Sequence, residues 1–197
     1  MPKGTPLTEK VQALRRTEIA QIASRLFFEK GFSETSVREI AEAAGVGKST
    51  LYDYFSTKDD ILLTYFENEI QTITQIAEGI NQLKLPAYEK LSQLMQAHLA
   101  YLLANKQFYL RLTVEMQRLS LESQQRMQVS RHGYQDLICR LIESGIQEGS
   151  FRPVDPYLVM RIILASLTPV VFSTRPSASP EQMLATALDI ILKGIQA

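Results

Sequence analysis

Apolar residues recur along most of the chain at the three- and four-residue spacing of α-helices. In the first segment, Ile19, Ile22 and Leu26 lie on one face of a helix that stops near Gly31. No stretch shows the clean apolar and polar alternation between Gly or Asn turns that indicates β-hairpins. The sequence therefore predicts an all-α fold.

Cap and turn residues divide this pattern into helices. Ser36 and Glu39 have the spacing of a capping box, in which two side chains satisfy free backbone N–H groups at a helix start. Thr57 and Asp60 repeat that spacing. We expect an N-terminal domain at residues 9–62 and a C-terminal domain at 63–197. The predicted helices cover residues 9–30, 36–43, 47–54, 57–79, 87–104, 106–119, 122–148, 155–173 and 180–195.

The most informative segment covers residues 36–55, with the sequence SVREIAEAAGVGKSTLYDYF. Two short helices that cross steeply need a small residue where they approach and a short turn between them. Ala41 is small, and Gly45 lies at the turn, where a positive φ is expected. This spacing is typical of a helix-turn-helix, which presents the start of its second helix to the major groove of DNA.

The second helix of this motif carries side chains suited to DNA. Lys48 can donate to guanine, and the hydroxyls of Ser49 and Thr50 can contact bases or phosphate. The hydroxyls of Tyr52 and Tyr54 suit phosphate oxygens, as does the ammonium group of Lys58. The predicted DNA-binding residues are Thr35, Ser36, Arg38, Gly47, Lys48, Ser49, Thr50, Tyr52, Tyr54 and Lys58.

A set of residues in and around the helix-turn-helix has the spacing of a known family. They are Leu26–Phe27, Gly31–Phe32, Thr35, Ile40–Ala41, Ala44–Gly45–Val46, Leu51–Tyr52, Phe55 and Lys58. Through them, residues 16–63 resemble the N-terminal domain of the TetR family of transcriptional regulators. The resemblance implies a dimeric repressor that leaves its palindromic DNA operator when a small-molecule effector binds the C-terminal domain. It leaves open a regulator of the same fold that activates transcription or is controlled by a protein partner.

The C-terminal region has aromatic and apolar residues at the spacing of a helical bundle. A ligand pocket between bundled helices is made of such residues and a few polar groups. Arg111 also has the spacing of an exposed ion-pair row with Glu115 and Arg118. The predicted pocket residues are His98, Tyr101, Phe108, Arg111, Met116, Tyr134 and Phe172.

The last two predicted helices carry more apolar surface than a helix pair at the edge of a bundle needs. Pairing with a second copy into a four-helix bundle would bury it, and the family resemblance implies the same interface. The predicted dimer residues are Leu164, Leu167, Val171, Leu188, Ile191 and Leu192.

Composition and charge narrow the classes of function. The 197 residues include 21 Lys and Arg and 21 Asp and Glu, and residues 1–60 alone carry nine of each sign. Bulk positive charge therefore does not drive DNA binding, and we expect weak non-specific affinity. With Cys139 as the one cysteine, no internal disulfide forms. We expect a cytoplasmic protein without a signal peptide or membrane span.

Other chemistries have weaker support. Gly47–Lys48–Ser49–Thr50 resembles the end of a phosphate-binding P-loop, but Glu42 stands where the motif requires glycine. His98 and His132 lack a second ligand at helical spacing, so we expect no metal site and no cofactor. No nucleophile motif supports hydrolysis, and we expect no enzymatic activity. For Cys139, burial as a small apolar residue is favoured over a redox role.

Overall fold

The computed structural model describes residues 8–196, without the side chains of residues 111–113. Over this part of the chain it has ten helices and no strand, so the all-α prediction is confirmed. The helices are α1 (Glu9–Lys30), α2 (Val37–Ala43), α3 (Lys48–Tyr54), α4 (Lys58–Asn81), α5 (Ala87–Ala104), α6 (Lys106–Met116), α7 (Leu121–Ser130), α8 (His132–Gln147), α9 (Pro156–Phe172) and α10 (Pro180–Ile195).

The helix predicted over residues 122–148 is interrupted at Arg131, which separates α7 from α8. At the end of α7, the hydroxyl of Ser130 donates to the carbonyl oxygen of Met127 at 2.8 Å. Such a local hydrogen bond competes with the backbone bonds that continue a helix. A one-residue break of this kind leaves the apolar period intact, which is why the pattern predicts a single helix there.

The chain forms two compact units. The first contains the described residues up to Glu69 together with Leu110–Ser130, and the second contains Ile70–Tyr109 and the residues from Arg131 onward. Residues 110–130 thus pack with the N-terminal part of the chain, although the sequence places them in the C-terminal domain.

In the first unit, α1 packs against α2 and α2 against α3. Their shared core includes Ile19 and Phe27 from α1, Ile40 from α2 and Leu51 from α3, each at most 1% exposed. Burial of each such side chain contributes about 1.5–3 kcal/mol. These contacts fix the crossing of α2 and α3.

In the second unit, α5, α8, α9 and α10 pack into a bundle around one apolar core. The carboxylate of Asp155 caps the start of α9, and Ser179 forms a capping box with Gln182 at the start of α10. The backbone N–H of Arg152 donates to the carbonyl oxygen of Ile195 at 2.8 Å and ties the turn before α9 to the end of α10. Among the described helices, none combines the length and apolar character needed to cross a membrane.

Candidate functional site

The helix-turn-helix is formed by α2, a turn at residues 44–47, and α3. Gly45 has a φ of 64°, the left-handed conformation that the sequence predicts. The N–H of Val46 donates to the carbonyl oxygen of Ala41 at 3.0 Å and closes the turn. Leu51 and Phe55 anchor α3 on the core with 1% and 2% exposure. The remaining face of α3 is therefore free for contacts outside the chain.

The predicted capping box at the start of α2 is present. The N–H of Ser36 donates to Oε2 of Glu39 at 2.8 Å, and the N–H of Glu39 donates back to the Ser36 hydroxyl at 3.2 Å. Lys30 Nζ lies 2.6 Å from Oε1 of Glu39. The hydrogen bond from Lys30, followed by those from Ser36, lowers the pKa of Glu39 to about 2. The carboxylate thus remains ionised at the positive end of the α2 dipole.

The exposed face of α3 carries most of the predicted DNA contacts. Gly47, Lys48, Ser49 and Thr50 are all exposed, and Tyr52 is 49% exposed. Lys48 Nζ lies 6.0 Å from the centre of the Tyr52 ring. Tyr54 is half-buried at the end of the helix. The first turn of α3 therefore presents one ammonium group and two hydroxyls on a single surface.

Two predicted DNA contacts are instead engaged inside the first unit. Thr35 is 1% exposed, and its hydroxyl donates to the carbonyl oxygen of Gly31 at 2.8 Å. Lys58 Nζ donates to the carbonyl oxygens of Phe32 at 2.7 Å and Thr35 at 3.1 Å. It also lies 4.4 Å from the Phe32 ring. These contacts give both residues a role in positioning the motif.

The other two predicted contacts lie at the start of α2. The Ser36 side chain is committed to the capping box, although the residue is exposed. Arg38 Nε donates to Oε1 of Glu42 at 2.8 Å in an ion pair whose members are both largely exposed. A pair this exposed is weak and exchanges readily for another anion such as phosphate.

Two arginines of α1 hold the ends of the motif, and sequence reasoning missed this role. Arg15 Nη2 donates to the carbonyl oxygen of Ala44, at the end of α2, at 3.0 Å. Arg16 donates to the carbonyl oxygen of Tyr54, at the end of α3, and lies 4.6 Å from the Phe55 ring. Carbonyl groups at helix ends lack intrahelical partners, and cations stabilise them. The one available signal was the pair of adjacent arginines on a helix preceding the motif.

In the second unit, two predicted pocket residues form a hydrogen bond. The hydroxyl oxygen of Tyr134 lies 2.8 Å from Nδ1 of His98, and their rings meet edge to face at 5.2 Å between centroids. Burial lowers the pKa of His98 to about 4 and raises the pKa of Tyr134 above its usual value. Both side chains are therefore neutral near pH 7.

The other predicted pocket residues are distributed over both units. Tyr101 and Phe172 are half-buried against the core of the second unit. Phe108 is buried beside Tyr109, with 5.0 Å between ring centroids. Met116 belongs to the first unit, and the side chain of Arg111 lies outside the described residues.

A half-open cavity of about 350 Å³ lies between α5 and α10 in the second unit. Its apolar floor includes Leu99, Leu184 and Leu188, while Glu181 and Asp189 line it with carboxylates. None of the predicted pocket residues lines this cavity. The carboxylates disfavour an anionic ligand there.

The predicted dimer residues lie mostly inside the protomer, which corrects their assignment. Four of these side chains face the core of their own bundle, and each is at most 4% exposed. They are Leu167, Val171, Leu188 and Leu192. Leu164 and Ile191 are half-buried. The exposed apolar positions are Leu158 and Ile162 on α9, at 55% and 48%, and Ile190 on α10, at 68%.

The remaining chemical candidates are the thiol of Cys139 and a metal site. Cys139 is 3% exposed, and burial followed by nearby carboxylates raises the pKa of its thiol, which disfavours the reactive thiolate. Within the described part of the chain, no three His, Cys, Asp or Glu side chains are grouped to hold a metal ion.

Known proteins resemble the chain along nearly its whole length. The fatty acid metabolism regulator protein of Bacillus subtilis (strain 168) is 26% identical over 183 residues, covering 90% of this chain and 94% of the relative. The crystal structure of the Bacillus subtilis regulator FadR in complex with stearoyl-CoA matches with a TM-score of 0.76 and 26% identity, over 91% of this chain and 98% of that chain. The ketosteroid transcriptional regulator KstR2 of Mycobacterium tuberculosis matches with a TM-score of 0.65 and 26% identity, over 93% and 95%.

Family models match both parts of the chain. The model of bacterial regulatory proteins of the tetR family matches residues 19–65, which contain the helix-turn-helix. The model of the tetracyclin repressor-like C-terminal domain matches residues 84–195. The chain therefore belongs to the TetR family and is a ligand-responsive, DNA-binding transcriptional regulator.

Proposed function

We propose that the chain is a homodimeric cytoplasmic repressor that binds a palindromic operator through α3 and is released by an apolar small molecule. In this proposal residues 9–62 serve DNA binding, residues 63–197 serve effector binding and dimerisation, and the chain catalyses no reaction. The observation that carries the proposal is the exposed polar face of α3 on its buried anchors Leu51 and Phe55.

The start of α3 supplies the base contacts of this proposal. Lys48 donates to guanine, and Ser49 and Thr50 contact bases or phosphate, while Gly47 lets the backbone approach the groove. Tyr52, Tyr54, Ser36 and Arg38 contact phosphates at its flanks. Thr35 and Lys58 position the motif through the internal hydrogen bonds described above.

The exposed apolar face of α9 and α10 supports the dimer. Leu158 and Ile162 lie one helical turn apart on α9, and Ile190 is exposed on the helix that packs against it. A second copy related by a two-fold axis would bury the same residues on both protomers. Two protomers then present two copies of α3 to the two half-sites of a palindrome.

Similar proteins support an apolar effector. One related structure holds stearoyl-CoA, and another relative is named a ketosteroid regulator. A stearoyl chain and a steroid skeleton are both large apolar bodies. The second unit of this chain offers an apolar bundle core with a polar pair, His98 and Tyr134, inside it.

DNA recovery tests the operator. Genomic DNA bound by the full chain is sequenced, and the strongest site is used in fluorescence anisotropy. We expect a palindrome, and Lys48→Ala should weaken its binding and relax selectivity at one base pair of each half-site. Equal affinity and selectivity in Lys48→Ala and wild type would contradict the assignment of α3. Effector release is tested with the same fluorescent operator and long-chain acyl-CoA or steroid ketones.

Sedimentation tests the dimer. Ile162→Glu places a charge on the exposed face of α9 and should yield a monomer that binds a half-site weakly. Leu121→Glu is the matched control, because Leu121 is 78% exposed on α7 in the first unit. A dimeric Ile162→Glu protein would refute this interface.

A further inference from the structure

His98 and Tyr134 form a hydrogen-bonded polar pair beside the apolar core of the second unit. His98 lies on α5 and Tyr134 on α8, two helices that pack against each other. The core side chains Met95 and Ile138 on the same two helices are fully buried. Buried polar groups in such surroundings are costly unless each is hydrogen-bonded. The choice of donor in the hydrogen bond between His98 and Tyr134 therefore affects the stability of the folded chain.

The donor in this hydrogen bond depends on the His98 tautomer, and hydrogen-bond satisfaction assigns the donor role to Tyr134. If Nδ1 of His98 carried the hydrogen, the Tyr134 hydroxyl would need a second acceptor for its own hydrogen, and none is present among the described residues. A hydroxyl left unpaired in the core would cost about 1–3 kcal/mol. The Tyr134 O–H therefore donates to Nδ1, and the neutral ring carries its hydrogen on Nε2.

The Nε2–H group of His98 is left without a partner among the described residues. The one hydrogen bond of the ring is that of Nδ1 with Tyr134. The His98 ring is partly exposed, whereas Tyr134 is buried. One neutral N–H donor thus remains available beside the apolar core of the second unit.

We propose that Nε2–H of His98 recognises a neutral carbonyl oxygen, as in a thioester, ester or ketone, next to the apolar body of the effector. This inference rests on the proposed function, because it names the group by which the effector is recognised. A carbonyl oxygen is satisfied by one neutral donor.

Paired ligands test the proposal on the full chain. Stearoyl-CoA is compared by calorimetry with S-octadecyl-CoA, in which a methylene replaces the carbonyl, and cholestenone is compared with cholestene. We expect wild type to bind the carbonyl member of one pair about threefold to tenfold more tightly, the range of one net hydrogen bond. A preference within the CoA pair would identify the carbonyl as that of an acyl thioester. A preference within the steroid pair would identify it as that of a steroid ketone.

Two variants assign that preference to His98. His98→Leu removes the donor and should reduce the ratio to about one, whereas His98→Gln keeps an N–H group near Nε2 and should restore part of it. Melting temperatures establish that both variants are folded. An unchanged ratio in His98→Leu would overturn this inference and leave the proposed effector class intact. Failure of all four compounds to bind wild type would overturn both.

Nuclear magnetic resonance provides a test that needs no ligand. Long-range ¹H–¹⁵N correlation of the imidazole nitrogens should show His98 protonated on Nε2, and Tyr134→Phe should shift the balance toward Nδ1. A ring protonated on Nδ1 in wild type would overturn the proposal.

Discussion

Arg126 Nη1 lies 2.7 Å from Oδ1 of Asp60, and this ion pair joins α7 to the first turn of α4 within the first unit. Next to it, the N–H of Ser120 donates to Oδ2 of Asp59 at 3.0 Å. Asp60 also accepts a hydrogen bond from the N–H of Ser56, directly after α3. The residues that follow α3 are thus held by a segment that lies fifty or more positions later in the sequence.

We expect a double-mutant cycle of Asp60→Asn and Arg126→Met to give a coupling free energy of about 0.5 kcal/mol. The value is modest because the Arg126 side chain is 43% exposed and is screened by solvent. Urea unfolding measures the coupling, which should decrease in high salt. The more exposed pair Arg38 and Glu42 is the control, where a weaker coupling is expected. Equal coupling free energies in the two pairs would mean that the pair of Asp60 and Arg126 contributes no more than an exposed surface pair.

Lys58→Met and Lys48→Met should separate positioning from DNA contact. Lys58 donates to the carbonyl oxygens of Phe32 and Thr35, so its loss should lower the free energy of unfolding by about 2 kcal/mol. Lys48 is exposed, so Lys48→Met should leave the free energy of unfolding unchanged. The same substitution should weaken operator binding by about 1–3 kcal/mol. Thermal melts and fluorescence anisotropy measure both effects.

The salt dependence of binding distinguishes these roles further. Loss of a phosphate contact lowers the slope of log K against log salt by about one, so Lys58→Met should keep the wild-type slope. Ten phosphate contacts per subunit, which are twenty in a dimer, would give a slope of about −18, and we expect a clearly shallower slope. A flatter slope with intact stability in Lys58→Met would restore the sequence-based assignment of a phosphate contact.

The helix-turn-helix was predictable because its signals are local. The capping box at Ser36 and the positive φ at Gly45 depend on neighbours within a few positions. The bonds from Arg15 to Ala44 and from Arg16 to Tyr54 join residues that are distant in sequence. No local period encodes such bonds, so the sequence does not predict the role of either arginine.

The apolar period of α9 was also insufficient to choose between its faces. Leu167 and Ile162 are both apolar, yet Leu167 is 2% exposed and Ile162 is 48% exposed. A helix that is apolar on two sides does not indicate which of them faces its own core. The candidate dimer surface therefore required the packed structure.

Gly45→Ala should destabilise the chain by about 1 kcal/mol, because alanine disfavours the left-handed conformation. The added Cβ would meet no atom within 4 Å, so the cost is conformational alone. Gly79→Ala is the matched control, since Gly79 lies in α4 with equally open space. There alanine should stabilise the chain by about 0.5–1 kcal/mol. Opposite shifts in the urea midpoint are expected, and shifts of the same sign would contradict the conformational explanation.

Gly145→Ala should be more damaging for a steric reason. Its Cβ would lie 2.2 Å from Cδ2 of Phe151 and 3.0 Å from Cβ of Ala87. Phe151 is buried in the core of the second unit, and overpacking of this kind costs about 1–3 kcal/mol. Urea unfolding measures the loss. Phe151→Leu in the same chain should recover part of it, and strictly additive losses in the double variant would exclude the clash as the cause.

The pH dependence of stability should reveal the buried state of His98. Its pKa falls from 6.5 to about 4 on folding, so the unfolded chain binds a proton in this window that the folded chain does not. The resulting stability is fully present above pH 6.5 and is lost as pH falls toward 4, with a slope of at most about 1.4 kcal/mol per pH unit. Comparison with His98→Gln cancels the other titrating groups, provided that both proteins unfold cooperatively. The difference in unfolding free energy between wild type and the variant should therefore change between pH 6.5 and 4 and stay constant above that range. A constant difference throughout would mean that the His98 ring is solvated, and the neutral Nε2–H donor would lose its physical basis.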